Sequence, residues 1–319
     1  MPTFQCAVAS GQRDEPIFAT ASQVRRWLLV QTPGAWGRDA VVDTDLGQHV
    51  SDEWRRRMRS AGVRVVAIRR DLERGPIDAT RLFVVDTGVA GWPGGVIWRR
   101  DVAGLRAVAE ATDVLPNGEI STPGWARDEG PLILVCTNGR HDSCCATFGR
   151  PLVRHLRTSE HAEAVWECSH IGGDRFAGNI VVLPDGLYFG RCGPEGGVDV
   201  ADAYRRGLID LAHYRGRSTL TFMHQAAEYF VRRQFSLDRI DAVLAVRTLD
   251  DRAGTFAVDL ADAGTVEVTL RRTVRMATSA LTCTGPTGLT HPAYELLELR
   301  MGRPDVSPRA GPSSATPHG

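Results

Sequence analysis

Leu132-Ile133-Leu134-Val135-Cys136-Thr137-Asn138-Gly139-Arg140-His141-Asp142-Ser143-Cys144-Cys145-Ala146 runs from an apolar stretch into a polar loop. Leu132–Val135 reads as a strand buried on both faces, because four successive apolar residues leave no solvated side. The loop Cys136–Cys145 follows it, and a helix is predicted over Ala146–Leu156. Further on, Ala164–Glu167 reads as a strand and Gly172–Asn179 as a Gly-rich loop. Ile180–Leu183 and Leu187–Gly190 form a predicted hairpin around Pro184-Asp185-Gly186, a good turn sequence. A helix is predicted over Ala201–His213.

Upstream, the same order of elements occurs once before. Trp27–Val30 reads as a buried strand and Thr32–Gly37 as a Gly/Pro loop. A helix near Ser51–Ala61 has Ser51 as its N-cap and Glu53 in its first turn. Strands follow at Val63–Ile68, Arg81–Val85 and Val96–Arg100, then a helix near Val102–Ala111. Both segments therefore read strand, loop, helix, three strands, helix. That order predicts an α/β chain of tandem thioredoxin-like lobes, each a mixed sheet with flanking helices. One larger α/β domain is the other reading.

The first lobe would occupy 1–112, a Pro/Gly/Ser/Thr-rich linker 113–130, and the second lobe 131–216. Residues 217–301 read as a small α+β segment. It has a helix near Thr221–Gln234 and strands at Ala242–Arg247, Thr255–Leu260, Val266–Arg272 and Tyr294–Leu299. The Pro/Ser/Gly-rich tail 302–319 is expected to be disordered.

Composition narrows the function. The 319 residues are 43% hydrophobic and 24% charged, ordinary for a globular protein with a real core. Formal net charge is zero, which gives no global field to draw nucleic acid or an anionic membrane. Every basic residue is arginine. No run approaches the roughly 18 apolar residues that span a bilayer, and Met1–Glu15 lacks the order of a signal peptide. A cytoplasmic location is expected. In that reducing compartment seven cysteines do not suggest a disulfide framework.

Four of those cysteines lie within Cys136–Cys168, and such clustering points to metal or redox chemistry. Cys136 ends a strand and Cys145 begins a helix, so the loop can curl two thiolates toward one point. The helix N-terminus and Arg140 add positive character there. In Trp166-Glu167-Cys168-Ser169-His170-Ile171-Gly172-Gly173-Asp174, Cys168 and His170 share a side if the chain is extended. Thiolate and imidazole together suit zinc or an iron–sulfur cluster. Structural zinc sites usually carry closer cysteine pairs, so the spacing leans toward the wider two-iron cluster. Cys6, Cys192 and Cys283 read as packing cysteines. His141 and Asp142 read equally as a supporting pair or a simple turn.

Cys136-Thr137-Asn138-Gly139-Arg140-His141-Asp142-Ser143-Cys144-Cys145-Ala146, followed by Ser169-His170-Ile171-Gly172-Gly173-Asp174-Arg175-Phe176-Ala177-Gly178-Asn179, resembles the sucrase/ferredoxin-like family. That family is similar to thioredoxin-like [2Fe–2S] ferredoxins. The resemblance implies a cluster held by two cysteines and two histidines, of which three fall on Cys136, Cys145 and His170. The second histidine position is Asp174, a departure. Cys168 is the preferred fourth ligand, since it offers a thiolate; Asp174 and Cys144 stay open. No paired carboxylates argue for sugar hydrolysis.

The expected function is one-electron transfer with an unidentified redox partner protein, rather than catalysis by the chain itself. The expected metal ligands are Cys136, Cys145, Cys168 and His170. The alternatives are a structural zinc module and a thiol-based redox enzyme or sensor using Cys144 and Cys145.

Overall fold

The computed structural model describes residues 4–70, 79–88, 94–113, 115 and 123–301. The tail 302–319, expected to be disordered, lies outside the described residues.

A short helix, α1 (Cys6–Gln12), precedes β1 (Arg26–Gln31), whose Trp27, Leu28, Leu29 and Val30 are fully buried. Next come α2 (Asp45–His49) and α3 (Asp52–Ser60), the latter capped by Ser51 Oγ accepting from Trp54 N at 3.1 Å. β2 (Val63–Arg69) pairs parallel with β1; β3 (Thr80–Asp86) pairs antiparallel with β1, and β4 (Val96–Val102) with β3. The helix predicted over Val102–Ala111 reduces to a 3-10 turn, Leu105–Ala107, and a single α turn, α4 (Val108–Ala111). β5 (Ala126–Asp128) pairs with β4, and Leu115 and Trp125 are buried in the core beneath. The segment 113–130, expected as a linker, thus contributes a sheet strand to the first half; its apolar anchors outweigh its loop-like composition.

The second half repeats the pattern. β6 (Leu132–Cys136) leads to α5 (Ser143–Leu156) and then β7 (Val165–Cys168), which pairs parallel with β6. β8 (Ile180–Leu183) pairs antiparallel with β6, and β9 (Leu187–Phe189) with β8. α6 (Pro194–Arg205) begins seven residues before the predicted helix and stops short of its predicted end. Pro194 suits the first helical turn, while Gly196-Gly197 disguised the helix as loop. A Cβ on Gly197 would meet Leu152 Cδ1 at 2.1 Å, so the glycine allows α6 to lie close on α5. β10 (Tyr214–Arg217) adds an edge strand that the sequence reading had missed.

All ten strands form one mixed sheet, in the order β10-β9-β8-β6-β7-β2-β1-β3-β4-β5. The halves have the same internal order and directions. They join through the equivalent strands β2 and β7, which run antiparallel with Ile68 opposite Cys168 and Arg69 opposite Glu167. Equivalent strands meeting antiparallel is the relation a two-fold axis produces. The helices cover one face of each half: α3 and α4 over the first, α5 and α6 over the second. The opposite faces pack against each other, because the sheet is rolled. Trp27 of β1 lies 6.2 Å from Tyr188 of β9, and Phe83 of β3 lies 5.6 Å from Trp166 of β7.

The last unit is α7 (Phe222–Phe235), N-capped by Thr221, on a four-stranded antiparallel sheet of β11 (Val243–Asp250), β12 (Thr255–Leu260), β13 (Gly264–Met276) and β14 (Thr290–Met301). Among the described residues no helix is long and apolar enough to cross a membrane.

Candidate metal centre

The centre forms where β6 ends and α5 begins. Asp142 caps α5, its carboxylate accepting from Cys144 N at 2.9 Å. This cap starts the helix at Ser143, three residues before the predicted start, and puts Cys144 and Cys145 in the first turn. Adjacent helical residues point about 100° apart, so the two thiols face different surroundings. Cys145 faces Cys136; Cys144 turns away toward Cys6 and Cys283. Gly149 allows the approach: a Cβ there would sit 2.1 Å from the Cys136 carbonyl oxygen.

The loop from β6 is shaped by Asn138, whose Oδ1 accepts from the amides of Arg140 at 3.2 Å and His141 at 3.3 Å. Asn138 Nδ2 donates to Gly37 O, and His141 Nδ1 sits 3.3 Å from Arg38 O. The first half of the chain therefore orients the loop of the second. Opposite, β7 ends at Cys168 and the chain crosses to β2. Ser169 N donates to Ala67 O at 2.8 Å, and Arg64 donates to His170 O at 3.0 Å. Gly173, at φ +87°, turns the chain into a 3-10 turn, Asp174–Phe176. Buried Arg215 clamps this bend, donating to Gly172 O at 3.0 Å and Asn179 Oδ1 at 2.8 Å.

The side chains converge. Ligand atoms of Cys136, Cys145 and His170 all lie within 4.8 Å of one another, and so do those of His141, His170 and Asp174. Asp174 Oδ1 is 3.2 Å from Cys145 Sγ and 2.9 Å from His170 Nδ1; Oδ2 is 3.9 Å from His141 Nε2. The two imidazoles stack at 3.6 Å with planes 18° apart. Despite its closeness to Asp174, the buried Nδ1 of His170 makes no well-aligned hydrogen bond. The cysteines are buried, while both imidazoles reach a pocket of ≈ 470 Å3 that Arg38 and Arg64 also line.

Charges inside the centre are coupled. The Cys145 thiol donates to Cys136; that hydrogen bond, opposed by burial and helped by His170, brings Cys136 down to about 5. Cys145 is pushed up as the donor. Burial disfavours the His170 imidazolium, but Asp174 and Cys136 outweigh it and raise His170 to about 9. Burial would raise Asp174, yet His170 holds it below the usual carboxylate range. Without metal the centre thus holds thiolate, imidazolium and carboxylate side by side.

Cys168, expected as the fourth ligand, joins neither group among the described residues. It is fully buried in the core between the rolled faces, where burial and then the Cys136 charge push its thiol well up. The expected shared side with His170 required extended chain, and β7 stops at Cys168. Cys144, held open as a ligand, belongs to a different cluster. His141, expected as a supporting residue or a turn, comes together with His170 and Asp174. The signal for it was Asn138, whose side chain favours a turn that re-aims the next residues.

Residues 17–216 match the sucrase/ferredoxin-like family. A 96-residue stretch is 30% identical to "Altered inheritance of mitochondria protein 32" of the yeast Meyerozyma guilliermondii, covering 27% of this chain and 34% of that protein. The match therefore spans about a third of that relative's length. No solved structure matches the chain. Since the matched region takes in more than half of the residues, including both loops of the centre, the chain belongs to the sucrase/ferredoxin-like family.

Proposed function

We propose that the chain is a one-electron carrier whose [2Fe–2S] cluster is held by Cys136 and Cys145 on one side and by His170 and His141 on the other. Two thiolates and two imidazoles are a donor set suited to such a cluster. The observation that carries this reading is the convergence of both cysteines and His170, with the buried His170 Nδ1 left without a well-aligned hydrogen bond. His141 replaces Cys168 in this reading because it stacks on His170 and faces the same carboxylate. Asp174 lies against both imidazoles and the Cys145 thiol, among the ligand atoms of the centre.

When bound, the cluster supplies a one-electron couple. Cys136 and Cys145 sit where water is excluded, and the imidazoles face the pocket lined by Arg38 and Arg64. That face is where a redox partner protein would dock. In the same reading each half is a thioredoxin-like lobe, supported by the matching strand orders β2-β1-β3-β4 and β7-β6-β8-β9. Only the second lobe supplies ligands, and the α7 unit is an addition to the pair.

The test is the visible spectrum of anaerobically purified protein, with iron and sulfide counts. A red-brown protein is expected that loses its colour in Cys136→Ser, Cys145→Ser and His170→Ala. The His141→Ala change should lose or shift the spectrum, while Cys168→Ser keeps it. Loss of colour in Cys168→Ser with retention in His141→Ala would overturn the ligand set. A colourless protein carrying zinc at this centre would overturn the electron-transfer reading. Neutral imidazoles in place of two thiolates reduce the negative charge, so the potential should lie above the roughly −400 mV of plant-type ferredoxins. Deprotonation of a bound imidazole restores negative charge, so the potential should fall as pH rises; redox titrations at several pH values check both.

A further inference from the structure

The thiol that turns away from the centre has company. Cys6 of α1, Cys144 of α5 and Cys283, in the loop between β13 and β14, bring their sulfurs together around Asp142, with ligand atoms all within 4.8 Å. Cys144 Sγ is 3.4 Å from Cys283 Sγ, and Cys283 Sγ is 3.6 Å from Cys6 Sγ. Cys6 Sγ lies 3.6 Å from Asp142 Oδ1 and 3.7 Å from Oδ2. Cys6, Cys144 and Asp142 are buried, and Cys283 is partly covered.

We propose that Cys6, Cys144, Cys283 and Asp142 form a second metal site, a structural one for zinc, separate from the Cys136/Cys145/His170 centre. The spacing fits. Zinc bonds of about 2.3 Å to sulfur and 2.0 Å to oxygen give tetrahedral edges of roughly 3.8 Å between sulfurs and 3.5 Å between sulfur and oxygen. These four separations fall within a few tenths of an ångström of those edges. The surroundings are also built for thiolates. The Cys6 amide donates to Cys283 Sγ at 3.5 Å, and the Ala7 amide donates to Cys144 Sγ. The Cys144 and Cys283 amides donate to the two Asp142 oxygens at 2.9 and 2.7 Å, leaving further lone pairs on each.

An independent observation points the same way. Among the described residues no basic side chain forms an ion pair with Asp142, although Asp142 is 2% exposed. A buried carboxylate that meets three thiols and no basic side chain suits a bound cation. Binding would displace the thiol protons to solvent and leave zinc bonded to three sulfurs and one oxygen, with no change of oxidation state. The ion would tie α1 and the β13–β14 loop to the first turn of α5, one residue from Cys145.

Element analysis of protein from zinc- and iron-replete cells separates the two sites. One zinc per chain is expected. Cys6→Ser/Cys283→Ser should lose the zinc and keep the visible spectrum; Cys136→Ser/Cys145→Ser should keep the zinc. Zinc absent from the unaltered protein, or leaving with the Cys136/Cys145 pair, overturns the proposal. So does a Cys144–Cys283 disulfide in peptide maps of native protein prepared without reductant. Should the Cys6/Cys283 variant fail to fold, Co2+ is added to zinc-stripped Cys136→Ser/Cys145→Ser protein. An intense near-ultraviolet thiolate-to-cobalt band that prior Zn2+ blocks supports the site, and its absence rejects it. These arms stand whether or not the iron reading holds, because they count a different metal on different residues.

Discussion

Asp174 is the residue on which the centre turns. It lies within 4 Å of two imidazoles and a thiol, and it takes the place where the resemblance implied a second histidine. In metal-free protein it helps to keep His170 protonated up to about 9. A histidine raised in the folded state stabilises the fold fully below its unfolded value near 6.5 and loses that contribution as pH rises through about 9. In metal-free wild type this loss between about pH 6.5 and 9 is offset by Cys136, whose value of about 5 adds stability over the same range. Asp174→Asn removes the His170 loss and leaves the Cys136 gain, so Tm should rise more with pH in the variant than in wild type; an equal slope in both proteins would contradict it. At this scale the sequence was partly legible. Cys136, Cys145 and His170 were readable from their motif. Cys168 does not join them, because two-residue alternation holds only inside a strand, and β7 ends there. His141 depends on Asn138 and on a carbonyl 103 positions away, and the partners of Cys144 lie 138 and 139 positions away. Local spacing carries no trace of such partners.

Among the elements, α5 decides both cysteine clusters. Its start at Ser143 sends Cys145 one way and Cys144 the other, and Gly149 brings its first turns against the end of β6. The strands of this region were legible because buried runs of four or five apolar residues leave few other readings. Helix starts were less so: Gly196-Gly197 hid α6, and a loop rich in polar residues hid the cap of α5. Asp142→Ala should cost about 1 kcal/mol for the lost cap. More is expected here, because the Cys283 amide loses its acceptor as well. Gly149→Ala forces α5 away from the Cys136 carbonyl, an overpacking change that typically costs about 1–3 kcal/mol. It should also separate Cys145 from Cys136, so on the proposed reading the variant should lose iron along with stability. Urea titrations beside metal counts check both variants, and a Gly149→Ala protein with full metal content and unchanged midpoint would refute the close-approach argument.

At the scale of the molecule, the repeat was visible as an order of elements, but the seam was not. Only two residue pairs join β2 to β7, and no local pattern marks them. The C-terminal unit was legible as α+β, yet its fastening to the large sheet came from three charges that read as ordinary helix and strand polarity. Glu228 of α7 accepts from Arg217 of β10 at 2.6 Å and from Arg232 at 2.9 Å, and its second oxygen accepts from Tyr214 at 3.0 Å. All four side chains are buried. Burial alone would raise the Glu228 carboxyl, but the two guanidinium groups outweigh it and hold it below the usual range. A depressed carboxylate contributes its stability above the unfolded value near 4.3, and that contribution is lost as pH falls below it. Neutralising Glu228 leaves two buried cations without their shared anion. Glu228→Gln should therefore cost about 3–5 kcal/mol at neutral pH, the usual effect of breaking a buried pair. The loss should fall on the junction between α7 and the ten-stranded sheet, so hydrogen exchange should speed up in β10 and α7 before it does in β6. Wild type should approach the variant's stability as the pH is lowered below about 4, because acid removes the same charge that the substitution does. A variant that keeps wild-type stability at pH 7, or a gap between the two proteins that widens in acid, would show that this cluster does not fasten the unit.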